Sequence, residues 1–410
     1  MENWLKEKLL ELNAVSTMEQ PEGFNRLSFT EKEREAQEAF KKVALELGMK
    51  LRADSTGNII ARLETEDQQG KPAIALGSHL DTVKNGGGYD GAAGVLCALG
   101  AVKMIRDSKE ILPFPVEVIC FASEESSRFS MSTVGSKAMT GQLTEEQLNT
   151  IKDENGSTLA EAMTEFGLDP AKFKEAERGE EELLSFTELH IEQGTRIEDA
   201  GCDYGTVSAI ACPIRMHLHV NGKAGHTGTT PMDQRQDALV DAAEIITFVH
   251  EAANCLNEND DFPIVATVST IEASPNAMNI IPGFVKLGVD IRSVSDKQKN
   301  LMEKAVDTYL KKYRPSVEKE ILVRNPSVQL DRKMYGKMKT LGHQTGLKSF
   351  EMESGAGHDV MNMQKKWPSG LIFIPCRDGL SHHPEEYASP QDLLKGTRLL
   401  HAHLTTSNSG

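Results

Sequence analysis

An α/β fold interrupted by a smaller α+β insertion is predicted by three features of the sequence. Short β-type apolar runs alternate with helical patterns along the first half, the character changes near residue 212, and the first pattern returns after residue 325. The opening segment, Met1-Glu-Asn-Trp-Leu-Lys-Glu-Lys-Leu-Leu, reads as an amphipathic helix and lacks the basic start and apolar middle of a signal peptide. Residues 31–47 place charged and apolar residues at helical spacing. Ile59–Leu63, Ala73–Gly77 and Val116–Ala122 are short β-type runs, with a mostly apolar helix over Gly91–Arg106 between the last two. This alternation predicts a largely parallel sheet. From Thr144 to Glu182 a charged helical stretch keeps no heptad and reads as a solvated excursion.

Beyond residue 212, Arg215–Val220 alternates like a half-buried strand and Asp237–Ala253 reads as a helix. Ile264–Glu272 and Phe284–Arg292 read as strands, Ser295–Lys312 as a helix and Lys319–Val323 as a last strand. That β-α-β-β-α-β order is the pattern of a ferredoxin-like split βαβ module. A helix over Lys333–Thr345, a Gly-rich loop and the apolar run Leu371–Pro375 then return to the first pattern. The predicted organisation is one domain from 1–211 and 326–410, with 212–325 inserted in it. Thr405–Gly410 reads as a disordered tail.

Composition narrows the function. With 45 Lys+Arg against 61 Asp+Glu, the formal charge is −16, and such a chain repels phosphate backbones, so no nucleic-acid partner is expected. Apolar stretches such as Ala92–Val102 fall short of the roughly 20 residues that cross a bilayer, so no membrane partner is expected either. The six cysteines are scattered without a C-x-x-C pair, which predicts a reduced, cytoplasmic protein.

Candidate chemistry gathers where strands should end. Ala73–Gly77 delivers His79 and Asp81 two residues apart, on one side of an extended segment, where one can bind a metal and the other orient it. Lys84–Gly91 has glycines but no phosphate-loop Lys-Ser/Thr, and presents Asp90 before an apolar helix. A carboxylate can bridge two cations. Val116–Ala122 runs into Glu124 and Glu125, adjacent acids that diverge on a strand, so one can ligate a metal while the other moves a proton. His190 follows another apolar step, and Leu371–Pro375 leads to His382 and His383. Imidazoles and carboxylates without thiolate suit zinc first, with manganese or cobalt as alternatives. No G-x-S-x-G elbow supports a serine hydrolase.

Taken with Gly225-His226-Thr-Gly-Thr-Thr-Pro-Met232, Asn279-Ile-Ile-Pro and Ser381-His382-His383-Pro384, these motifs resemble the amidase/hydantoinase/carbamoylase branch of the M20 metallopeptidase superfamily, in family order and over nearly the whole chain. The branch includes N-carbamoyl-L-amino acid hydrolases, β-ureidopropionase and allantoate amidohydrolases. The resemblance implies a zinc-peptidase-like catalytic domain with an inserted ferredoxin-like lid and dimerisation domain. It further implies two divalent metal ions, with His79 and His190 on one, Glu125 and His382 or His383 on the other, and Asp90 between them. The one-residue gap between His and Pro favours His382. Glu124 would be the general base. His226, supplied across a homodimer in the family, would reach the substrate together with Gln193, Asn279 and Arg292, and the loop Ser354–Asp359 would lie near the substrate carboxylate.

Asp290 and Arg292 share one strand face, and a guanidinium grips a carboxylate bidentately, which points to substrates with a free carboxyl group. Water held between two cations has its pKa lowered from 15.7 toward about 7. The implied reaction is cleavage of the ureido C–N bond of N-carbamoyl-L-amino acids by a metal-bridged hydroxide. Pro213 stands where some allantoate hydrolases carry Gln, so allantoate is the alternative substrate. A metal-dependent di- or tripeptidase is a second alternative, and a scaffold protein without bound metal a third.

Overall fold

The computed structural model describes residues 1–258 and 262–406. It divides into two compact units, the first formed by Met1–Ser208, Leu330–Met352 and the chain from His358 on, the second by Ala209–Gln329 with Glu353–Gly357.

In the first unit, strands Ala73–His79 and Val116–Phe121 are buried at every position, as strands covered on both faces must be. They pair in parallel. Ala73–His79 pairs in parallel on its other side with Leu183–Ile191, which carries Ser369–Ile374 in parallel. Antiparallel strands close both flanks: Ile59–Leu63 and then Lys50–Ala53 on one side, Tyr204–Ile210 on the other, with Ser349–Ser354 paired to the latter. The sheet is therefore mixed, where the alternation of elements predicts a largely parallel one. Ala53 and Ile59 are joined by a tight turn held by the Asp54 side chain, which accepts from the Thr56 and Asn58 N–H groups. A parallel crossover needs a dozen residues or more, so this connection can only fold back.

Helix Ala92–Ser108 is buried from Ala92 through Val102. It lies directly on the sheet because Gly94 has no side chain: a Cβ there would sit 2.0 Å from the Leu189 carbonyl oxygen. Helices Glu2–Leu12 and Pro390–Thr406 pack on its outer side. Thr405 and Thr406 thus close a helix instead of opening a tail, and 407–410 lie outside the described residues.

The stretch from Thr144 to Glu182 is also not the solvated excursion its charge predicts. Two short helices, Glu145–Thr150 and Leu159–Glu165, each start with a capping box at Thr144 and Thr158. Their Leu148, Leu159 and Met163 join Phe129, Phe166 and Phe173 in a separate small core. The apolar residues are too sparse for a long amphipathic helix, but breaks in the backbone turn them to one side.

The second unit holds the β-α-β-β-α-β order. Its antiparallel sheet runs Glu318–Arg324, Pro213–Asn221, Phe284–Arg292, Val265–Ser274. Helices Ala238–Asn257 and Asp296–Tyr313 cover one face, where Val285, Leu287, Val289 and Ile291 alternate inward against Met216, Leu218, Ile245 and Met302. Among the described residues no helix is long and apolar enough to cross a membrane. Cys97, Cys120, Cys212 and Cys376 are buried.

Candidate metal centre

Four parallel strands point their carboxyl ends the same way, and ligands in open α/β sheets collect at that edge. His79 ends its strand, Glu124 and Glu125 follow Val116–Phe121, His190 is next to last in Leu183–Ile191, and His382 lies on the loop after Ser369–Ile374. Asp90 stands just before helix Ala92–Ser108. The structure brings these side chains into two three-donor groups, His79–Asp90–His190 and Asp90–Glu125–His382, which share Asp90.

Asp90 Oδ1 is 3.3 Å from His79 Nε2 and 3.2 Å from His190 Nε2. Its other oxygen, Oδ2, is 3.5 Å from His382 Nε2, which in turn is 3.4 Å from Glu125 Oε1. Zinc bonds of about 2.0–2.1 Å in a tetrahedron keep neighbouring donors about 3.3 Å apart. The observed spacings fit that edge length, so the residues fit divalent cations. Among the described residues this is the larger of the donor constellations.

Both buried imidazoles are oriented by backbone. His79 Nδ1 donates to the Asp81 carbonyl at 3.0 Å and His190 Nδ1 to the Ile191 carbonyl at 2.9 Å, which turns each Nε2 toward Asp90. Asp81 therefore acts on His79 chiefly through its main chain, its carboxylate lying 3.5 Å from the ring nitrogen. That carboxylate instead accepts the Glu124 and Glu125 N–H groups, at 3.0 and 2.9 Å, and the Ser28 hydroxyl. It fixes the turn that presents both glutamates. Gly91 closes the other side: at φ +64° a Cβ there would lie 2.5 Å from the His79 ring. Three non-glycine residues around the donors, Ser123, Gln193 and His382, also hold left-handed φ of 52°, 60° and 56°. Each costs of order 1 kcal/mol, and such strain concentrates where side chains must be aimed.

Negative charge dominates the pocket. Asp81, Asp90, Glu124, Glu125, Glu188, Asp359 and Glu386 are all buried. Burial disfavours a charged His79, yet Glu124, Asp81 and Asp90 hold its pKa well above the ordinary range, and Asp90 likewise raises His190. Burial also opposes ionised Asp90, but His190, His382 and His79 together hold it well below the usual carboxylate range. A divalent cation would meet the same demand for positive charge. Burial, reinforced by Glu125, Asp359 and Asp81, pushes Glu124 well above its ordinary value against the pull of His79. Its Oε2 is 3.8 Å from His79 Nε2. A carboxyl group that readily carries a proton beside a donor cluster suits proton transfer.

Of the other residues singled out in the sequence, Gln193 lies at the cluster, its amide donating to Asp90 Oδ2 at 2.7 Å. His383 belongs to neither donor group; its Nδ1 accepts from the Glu385 N–H, and its ring lines a cleft with Arg377 and Tyr387. His226, Asn279 and Arg292 belong to the second unit. His226, which ends the short strand Gly225–His226, and Asn279, in the turn before Ile280–Ile281, are both exposed, and the Thr227 N–H donates to the Asn279 carbonyl. Arg292 is gripped by Asp290 through Nε at 2.8 Å, and its Nη1 donates to the Gly355 carbonyl.

Sequence reasoning missed Glu386 and Glu188, and named Asp359 only as part of the loop Ser354–Asp359 without its buried hydrogen-bonding role. Glu386 Oε1 accepts the Tyr89 and Asp90 N–H groups, and Oε2 accepts from Ser381 Oγ and the His382 N–H. Glu188 binds Ser78 Oγ and the Val360 N–H, and Asp359 accepts from Ser136 Oγ. A signal for Glu188 was present: it is the one carboxylate in the largely buried strand Leu183–Ile191.

Comparison with known proteins identifies the lineage. The profile of peptidase family M20/M25/M40 matches residues 75–406. The chain belongs to that family. Membership makes it a hydrolase of amide C–N bonds, and enzymes of the family bind divalent metals. It is 34% identical over 382 residues to an N-carbamoyl-L-amino-acid amidohydrolase of Paenarthrobacter aurescens, covering 92% of each chain. To the allantoate amidohydrolase of Bacillus subtilis it is 35% identical over 385 residues, covering 92% of this chain and 91% of the relative. An amidase of the hydantoinase/carbamoylase family from Burkholderia multivorans shares the fold at TM-score 0.88 and 28% identity, over 99% of this chain and 97% of that one.

Proposed function

We propose that this chain is a binuclear metal-dependent amidohydrolase that removes the carbamoyl group of N-carbamoyl-L-amino acids. The observation that carries the reading is Asp90, whose Oδ1 faces His79 and His190 while Oδ2 faces His382. A carboxylate so shared suits a pair of cations, with His79 and His190 holding one and Glu125 and His382 the other. Zinc is the first choice for this donor set, with manganese or cobalt as alternatives. Cations bound there would supply a more acidic water and an electrophile for the scissile carbonyl.

The side chains divide the remaining work. Glu124 takes the proton of the attacking water and returns it to the leaving nitrogen, so that the amino acid departs as its amine and the carbamate breaks down to ammonia and carbon dioxide. His226 donates to the oxyanion as the carbonyl becomes tetrahedral. Arg292, aligned by Asp290, grips the substrate carboxylate with Asn279 and Gln193. The relative in Paenarthrobacter aurescens supports the carbamoyl substrate and the one in Bacillus subtilis supports allantoate as the second reading. Pro213, set where some allantoate hydrolases carry Gln, favours the first. A cytoplasmic homodimer is the assembly that fits the scattered cysteines without a C-x-x-C pair and the exposed His226.

An ammonia-release screen over N-carbamoyl-L-amino acids, allantoate and di- and tripeptides tests the substrate. Turnover of peptides alone would overturn the proposal. Glu124→Gln tests the mechanism: bound metal should stay at the wild-type level while turnover falls about 10²–10⁴-fold.

A further inference from the structure

A second donor constellation stands in the other unit, with no part in the proposed hydrolysis. His217 and His219 alternate onto the sheet face left uncovered by the two helices, and Glu320 lies on the neighbouring strand directly opposite His217. Glu320 Oε2 is 3.6 Å from His217 Nδ1 and 3.3 Å from His219 Nε2, and the three donor atoms lie within 4.8 Å of one another. These two spacings match the roughly 3.3 Å edge of a tetrahedral zinc site, as those at the main centre do.

The surroundings leave room for an ion and favour positive charge. The strand on the other side places Gly288 opposite His217, so the directly opposed position adds no side chain against that ring. Phe284 stacks on His219 with centroids 5.9 Å apart and limits its rotation. Lys286, the cation opposite His219, is engaged by Glu272 at 2.8 Å, while Glu318 pairs with His219 from the other neighbouring strand. Two carboxylates, Glu318 and Glu320, thus flank the imidazoles on one side, and the single lysine on the other is already neutralised.

We propose that His217, His219 and Glu320 form a separate, surface-accessible site for one borderline divalent ion of the zinc, nickel or copper class. Three protein donors leave a fourth position open to solvent. Imidazole with carboxylate and no thiolate selects these ions over calcium and magnesium, which prefer all-oxygen shells.

The full chain, stripped with chelator and dialysed against micromolar Zn²⁺, is analysed for bound metal beside His217→Asn/His219→Asn and Glu320→Gln. Wild type should hold one ion per chain more than the double variant, and Glu320→Gln should bind that ion at least ten-fold more weakly. Electron paramagnetic resonance of Cu²⁺, added after two equivalents of Zn²⁺ have refilled the main centre so that His79 and His190 contribute no copper signal, gives a second readout, with coupling to two imidazole nitrogens expected in wild type. His217→Asn and His219→Asn taken singly should each lose that signature, which keeps the test open if the double variant misfolds. Equal metal counts and identical Cu²⁺ spectra across the set would mean that the three side chains form only a surface ion pair, and the proposal would fall.

Discussion

Glu386 Oε1 accepts the Asp90 backbone N–H at 2.8 Å across 296 positions of sequence. The same carboxylate accepts the His382 N–H and Ser381 hydroxyl through Oε2, so both oxygens work only as acceptors. One buried side chain therefore sets the two loops that carry Asp90 and His382.

Replacing Glu386 by Gln makes one of those oxygens a donor, which can satisfy only one loop. Metal affinity at the main centre should fall about 10–100-fold, with the fold retained by circular dichroism. Unchanged affinity, read by chelator competition, would remove Glu386 from the positioning scheme.

His382 and His383 separate cleanly by geometry. His382→Ala should lower bound metal by one ion per chain, while His383→Ala should leave the count alone, because its ring faces a different cleft. Elemental analysis decides, and the reverse pattern would exchange their roles.

Gly91→Ala tests close packing. The added Cβ meets the His79 ring in a left-handed backbone conformation, so stability should fall by about 1–3 kcal/mol and metal binding with it. Denaturant midpoints and metal content read both effects. A variant as stable and as metal-loaded as wild type would show that the loop has slack.

His403 predicts acid sensitivity away from the metal centre. It is fully buried with Nε2 3.2 Å from Thr187 Oγ1, and burial, aided by Lys337, pushes its pKa down to about 3. The unfolded chain takes up the proton first, near pH 6.5. Stability from the neutral ring is thus complete above that pH and drains away as pH falls toward 3, by at most roughly 4 kcal/mol. His403→Gln should flatten the slope of unfolding free energy in that interval. Identical slopes for the two proteins would exclude this ring as the cause.

What could be read in advance follows from range. His79, Glu125 and His190 each follow an apolar run and Asp90 precedes an apolar helix, so local pattern marks them as candidates, while the ligand roles and the choice of His382 over His383 come from the family resemblance. Glu386 and Asp359 act through hydrogen bonds to residues more than 200 positions away, and no local pattern carries that information. The antiparallel flanks escaped for a related reason. Lys50–Ala53 is four residues long and Tyr204–Ile210 follows a turn that sequence spacing does not orient, so which way each pairs is decided by tertiary register. The small core around Phe129 and Phe166 was hidden because its members are spread over several short segments.

The donors at the main centre span positions 79 to 382 and still converge on one carboxylate. Every intervening loop has to close before a cation can be held from opposite sides. Capture of a cation should therefore come after the rate-limiting step of folding, and ions bound there would act as a brake on escape from the native state. A chelator should multiply the unfolding rate while leaving refolding nearly as fast as before.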